Sequence, residues 1–112
     1  MEITNARIKN VTVGFDDRDR LSVRMTFDGQ HSCCDWGFIL TNPTDVQRLI
    51  KLMHYVGAYE VDNLSGKIIR KVDSGNLLRG FGHPLKDKYV PTFTEKFKEI
   101  NESEFEELLK SK

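Results

Sequence analysis

The clearest pattern along the chain is the alternation between Leu21 and Phe27. Leu21, Val23, Met25 and Phe27 take one phase, and Ser22, Arg24 and Thr26 take the other. A period of two is that of a strand with one face buried. Upstream, Ile3 to Val13 alternate less regularly, with Ala6 and Ile8 in one phase and Val11 and Val13 in the next. The phase change at Lys9-Asn10 predicts a bulge. Asp16 to Arg20 reads as a charged turn and Asp28-Gly29 as a tight one. A third strand is expected within Gln30 to Leu40, where Trp36-Gly37-Phe38-Ile39-Leu40 supplies aromatic and β-branched residues.

The pattern then changes period. Val46, Leu49, Ile50, Met53 and Val56 recur at helical spacing, so one stripe of a helix faces the sheet. Thr44-Asp45-Val46-Gln47 has the form of a capping box behind Pro43, and Gly57 is placed to stop the helix. Val61 to Gly66 reads as a turn, Lys67 to Val72 as a strand, Asp73 to Asn76 as a hairpin loop and Leu77 to Phe81 as the returning strand. Gly80 and Gly82 flank Phe81, which predicts a bend or a close approach to that backbone. Phe93, Phe97 and Ile100 hint at a turn of helix, and Ser103-Glu104-Phe105-Glu106 forms a second capping box before Leu108 and Leu109. The expected fold is α+β: a mainly antiparallel five-stranded sheet (β-β-β-α-β-β) with one packed helix and a short C-terminal helix. Residues 1–93 are expected to form the domain, with 94–112 as an acidic helical extension on or beside it.

Charge sharpens this picture. Lysine plus arginine and aspartate plus glutamate each total 17 in 112 residues, so the formal net charge is zero. That balance argues against bulk double-stranded DNA binding. It conceals an uneven distribution. From Lys67 to Val90, six basic residues (Lys67, Arg70, Lys71, Arg79, Lys86, Lys88) face Asp73 and Asp87, a local net of +4. From Pro91 to Lys112, six glutamates face four lysines, a local net of −2. Arginine forks beside aromatic rings suit a nucleotide, guanidinium for phosphate and ring for base. The candidate ligand contacts are therefore Arg70, Lys71, Arg79 and His83, with Phe81 and Trp36 as stacking rings. The competing reading is a solvated edge strand for the cations, and a place in the core for Trp36, Phe38 and Phe81.

The other chemistry is sparse. Cys33 and Cys34 are adjacent, and a vicinal disulfide is strained, so two free thiols are expected, in keeping with a cytoplasmic setting. His31, Cys33 and Asp35 share a strand phase, but no second ligand pair accompanies them, and neither a metal site nor a cofactor is expected. No nucleophile elbow, HExxH or phosphate-loop motif occurs. A cysteine-dependent hydrolase pairing Cys33 or Cys34 with a histidine is the enzymatic alternative. No stretch is apolar enough for a membrane span, and no signal peptide is visible at Met1-Glu2-Ile3.

Several segments together resemble a family of small phage and prophage accessory proteins. They are the opening Met1-Glu2-Ile3-Thr4-Asn5-Ala6, the strand Trp36-Gly37-Phe38, Val56-Gly57, Asn63-Leu64-Ser65-Gly66-Lys67 with Arg70, and the run from Gly82-His83-Pro84 to Pro91-Thr92-Phe93. Members of that family often carry a longer glycine- and tyrosine-rich stretch after the aromatic strand. Here Ile39-Leu40 leads almost directly to Thr41-Asn42-Pro43. The resemblance implies action in the host cytoplasm against host defence, by sequestering an anionic nucleotide signal or by blocking an immune effector. The alternative partner mode is mimicry of nucleic acid by the acidic C-terminal segment. A homo-oligomer is expected, because pairing an exposed strand edge across a two-fold axis is an economical way to cover it.

Overall fold

The computed structural model describes residues 1–30 and 32–111, so the His31 arm of the metal reading lies outside the described residues. Six antiparallel strands form one curled sheet in the order β3-β2-β1-β4-β5-β6. The strands are β1 (Glu2–Phe15), β2 (Leu21–Gly29), β3 (Cys33–Ile39), β4 (Ile68–Ser74), β5 (Leu77–Gly82) and β6 (Tyr89–Pro91). Helix α1 (Pro43–Val56) follows β3, a 3-10 turn spans Val61–Leu64, and α2 (Glu102–Lys110) is the last element. The α+β class, the antiparallel sheet and both helices are as expected from the sequence. The sixth strand is not: β6 is three residues long, ends in proline and carries no periodic pattern.

The register explains how two cores form on one sheet. Ile8 pairs with Phe27, Ala6 with Ile69, Lys71 with Phe81, and Phe81 with Val90. These residues share one face, with side chains alternating strand by strand. Helix α1 covers that face with Leu49, Leu52 and Tyr55, closing a core around Phe27, Phe38 and Phe81. The opposite face at the β4-β5-β6 end carries Val72 and Tyr89, and α2 covers it through Phe105. Helix α2 is thus seated on the sheet. Deleting residues 101–112 is expected to uncover Tyr89 and Val72 and so to destabilise the domain.

Local chemistry moves both helix starts two residues upstream of the expected boxes. Asn42 caps α1, its side-chain oxygen accepting from the Thr44 and Asp45 N–H groups, with Pro43 next in line. Asn101 and Glu104 form a reciprocal capping box on α2. Gly57 stops α1 with φ +69°, as predicted. The buried stripe of α1 is shifted as well. Ile50 is exposed, whereas Arg48 is buried, its guanidinium held by Asp45 and by the Thr94 carbonyl. The predicted bulge lies between Lys9 and Thr12, with Asn10 at φ +55°. No helix among the described residues is long and apolar enough to cross a membrane.

Candidate anion-binding site

The β5–β6 connection, residues 83–88, is shaped by one imidazole. His83 Nδ1 accepts hydrogen bonds from the Leu85 N–H (3.0 Å) and the Lys86 N–H (3.1 Å). Its proton therefore sits on Nε2. The ring packs edge-on against Tyr55 of α1, centroids 5.3 Å apart. Across the loop, the Arg70 guanidinium donates to the Tyr89 hydroxyl (3.0 Å) and the Lys86 carbonyl (3.4 Å). Arg70, His83, Lys86 and Lys88 thus border one turn. Asp87, the acid of this turn, is directed elsewhere: its carboxylate accepts from the Glu102 N–H at the start of α2 (2.8 Å). That position also suits the helix dipole. Among the described residues, Arg70, Lys86 and Lys88 have no ion-pair partner.

The titration behaviour follows this layout. Burial, and then the cations Lys86, Lys88 and Arg70, hold the His83 pKa below 6.5, with Glu99 opposing. Protonation must break both Nδ1 bonds. The folded pKa is depressed, so the unfolded chain takes up the proton first as pH falls. The stability given by this contact is complete above about pH 6.5 and is lost as pH drops through the folded value. Amide exchange at Leu85 and Lys86, corrected for the intrinsic rate, is therefore expected to accelerate as pH falls below about 6.5, while β4 amides stay protected. Unchanged protection at those two amides would remove this account. Beside the turn, Tyr55 donates to Glu99 Oε2 at 2.6 Å. Burial first, and then Glu99, push the phenol far above its ordinary range. Burial works to raise the Glu99 pKa, but the Tyr55 hydrogen bond and Lys51 outweigh it and the carboxyl lies low.

The six residues proposed from sequence do not converge. Arg70 and His83 share the turn. Phe81 is fully buried between Phe38 and Tyr55 and offers no ring face to a ligand. Lys71 is also buried, pointing to the face opposite Arg70, where Nζ donates to the Ser32 carbonyl and hydroxyl beside Asp73. Adjacent strand residues point to opposite faces, so Arg70 and Lys71 cannot hold one ligand. Arg79 stacks on Phe93 at 5.6 Å. Trp36 lies half-buried on β3, packed against the main core, with a buried Nε1 that has no hydrogen-bond partner.

Sequence reasoning missed a cleft of about 680 Å³ on the sheet face left bare by both helices, bordered by Asn10, Ser22, Arg24, Thr26, Asp35 and Gly37 among others. Thr26 links Asn10 to Asp35 there: it accepts from the Asn10 amide (3.3 Å) and donates to the Asp35 carboxylate (2.6 Å). The alternation of β2 already placed Ser22, Arg24 and Thr26 together. It carries no sign that neither helix is seated over them.

Cys33 and Cys34 are free thiols. Burial pushes the Cys34 pKa up, with the Lys71 ammonium opposing. That is the reverse of an activated nucleophile. The described histidines, His54 and His83, make no hydrogen bond to either thiol. Among the described residues no group of His, Cys, Asp or Glu is arranged to hold a metal ion. No family model, curated protein or solved structure matches the chain.

Proposed function

We propose that this protein acts by binding rather than by catalysis, holding an anionic, nucleotide-like ligand at the turn bordered by Arg70, His83, Lys86 and Lys88. The observation that carries this reading is a set of turn cations without an ion-pair partner, the neighbouring Glu99 carboxylate being bound to Tyr55 and Lys51. Asp87 is committed to the start of α2, so the cations of the turn are left without an ion-pair partner among the described residues. The resemblance to small phage accessory proteins gives the setting: removal of a nucleotide signal on which a host defence depends. Tyr89 fixes one edge of the Arg70 guanidinium and leaves its remaining N–H groups to meet a phosphate. Phe81 is unavailable for stacking, so the phosphate, and not the base, is the recognised part.

The test is equilibrium binding of the full chain to a panel of cyclic nucleotides and ADP-ribose derivatives. One of them is expected to bind with an affinity that falls as salt rises. Arg70→Ala should weaken it about tenfold or more, the loss of a charge-assisted bond. If no member of the panel binds, or if Arg70→Ala and Lys88→Ala leave affinity unchanged, the proposal falls.

A further inference from the structure

The long first strand outruns its neighbour. β1 pairs with β4 only from Glu2 to Arg7, and Ile8 makes the last bonds on that side, donating to the Lys67 carbonyl and accepting from the Gly66 N–H. Beyond the bulge, β1 pairs with β2 alone, Thr12 with Arg24 through Phe15 with Leu21. The Asp16 N–H donates to the Arg20 carbonyl, so Asp16 faces β2. By the two-residue period Gly14 and Thr12 face β2 as well, and the backbone groups of Val11, Val13 and Phe15 point away from it. The bulge that reversed the side-chain phase also turned these groups outward. The same three residues carry the apolar side chains, and Val13 and Phe15 are 56% and 65% exposed, with Leu21 beside them at 37%. An uncharged, apolar strand edge with free N–H and C=O groups is a pairing template.

The other two edges are protected. At β6, Pro91 has no N–H and Tyr89 pairs with Ile100. At β3, the Ile39 N–H is taken by the Asp45 carboxylate at 3.0 Å, and Asp35 adds a charge.

We infer that the β1 edge from Val11 to Phe15 pairs antiparallel with the same segment of a second copy, about a two-fold axis at Val13. A second copy fits because the segment is complementary to itself. In that register Val13 meets the other Val13, and Val11 meets Phe15 on each side, so every apolar side chain faces an apolar one. On the opposite side of the ribbon Thr12 meets Gly14, with no clash. Past the ends of the paired segment, Asp17 of one copy runs toward Lys9 of the other, acid beside base. The zero net charge adds no general repulsion between copies. The two Val13 residues form a hydrogen-bonded pair with Cα atoms about 5.5 Å apart, within disulfide range.

That distance supplies the experiment. In the full chain with Cys33→Ser and Cys34→Ser, Val13→Cys should form a covalent dimer rapidly under mild oxidation. Phe15→Cys, whose partner is Val11, should do so at least about tenfold more slowly. Light scattering of the unmodified chain should give twice the 13.0 kDa of one copy, and Val13→Lys should give the single mass. Both positions are exposed, so neither change disturbs the fold. A single mass for the unmodified chain at every concentration, a dimer that survives Val13→Lys, or equal cross-linking rates at residues 13 and 15 would each overturn the inference.

Discussion

The Gly80→Ala variant is expected to lose about 3 kcal/mol or more of unfolding free energy, a large part of what a domain of this size possesses. Gly80 lies in β5, opposite Val72 on one side and Pro91 on the other, directly beneath α2. A Cβ there would sit 2.5 Å from the Val90 carbonyl oxygen and 2.7 Å from the Phe105 ring. Neither neighbour yields easily. The carbonyl belongs to the backbone of β6, and Phe105 is wedged edge-on against Tyr89 and Phe93, with centroids 6.3 and 6.1 Å away. One methyl group therefore pushes apart β6 and α2 together. At Gly82 the added carbon would fall on the Tyr89 ring, and the same direction of effect follows. Gly75→Ala is the comparison. Its turn has φ +65° but nothing within 4 Å, so its cost is that of the left-handed backbone alone, about 1 kcal/mol. Urea unfolding of the three variants tests the ranking. A Gly80→Ala chain as stable as Gly75→Ala would show that β6 and α2 are not seated as described.

That glycine pair was legible in the sequence, and its meaning was legible in part. Gly-Phe-Gly says that something approaches the backbone of β5, and the something is a pair of aromatic rings from later in the chain. The β2 alternation, the bulge after Lys9 and the glycine stop at Gly57 were readable for the same reason: each is a local signal of a local geometry. What escaped depends on distant partners. β6 exists because Gly80 to Gly82 offers it an edge, and three residues ending in proline cannot announce that. Arg48 reads as solvent-facing by polarity, yet Asp45 and the Thr94 carbonyl make a buried place for it. The candidate site divides along the same line. Arg70 and His83, both within the basic stretch of the sequence, border one turn in the fold. Lys71 and Phe81 were grouped with them by sequence distance, although the strand period itself sends Lys71 and Arg70 to opposite faces. Nothing in the sequence said that Asp87 would turn away to α2 and leave the cations without an ion-pair partner among the described residues.

Lys71 carries the second large expectation. Its side chain is fully buried, and Nζ donates to the Ser32 carbonyl at 2.9 Å and to the Ser32 hydroxyl, with the Asp73 carboxylate 3.4 Å away. The bonds cross from β4 over β1 to the end of the β2–β3 hairpin, passing Gly29, where a Cβ would lie 3.0 Å from Nζ. The glycine makes room for the ammonium, and the ammonium ties the hairpin to the far strand. Lys71→Met preserves most of the stem volume and removes all three bonds, leaving the largely buried Asp73 carboxylate without its partner. The expected cost is about 3 kcal/mol. Asp73→Asn should cost about 1 kcal/mol, because the ammonium keeps both Ser32 acceptors. The double variant should cost less than the sum of the two, since the stranded carboxylate is gone. Urea unfolding measures all three, and strict additivity would mean that Lys71 and Asp73 do not act as a pair. The same variants separate architecture from binding. Lys71→Met should lower stability and leave the affinity of any anion bound at the turn unchanged, whereas Arg70→Ala, which breaks only partly exposed bonds, should lower affinity with little loss of stability. A reversal of those two outcomes would move the ligand to the other face of the sheet.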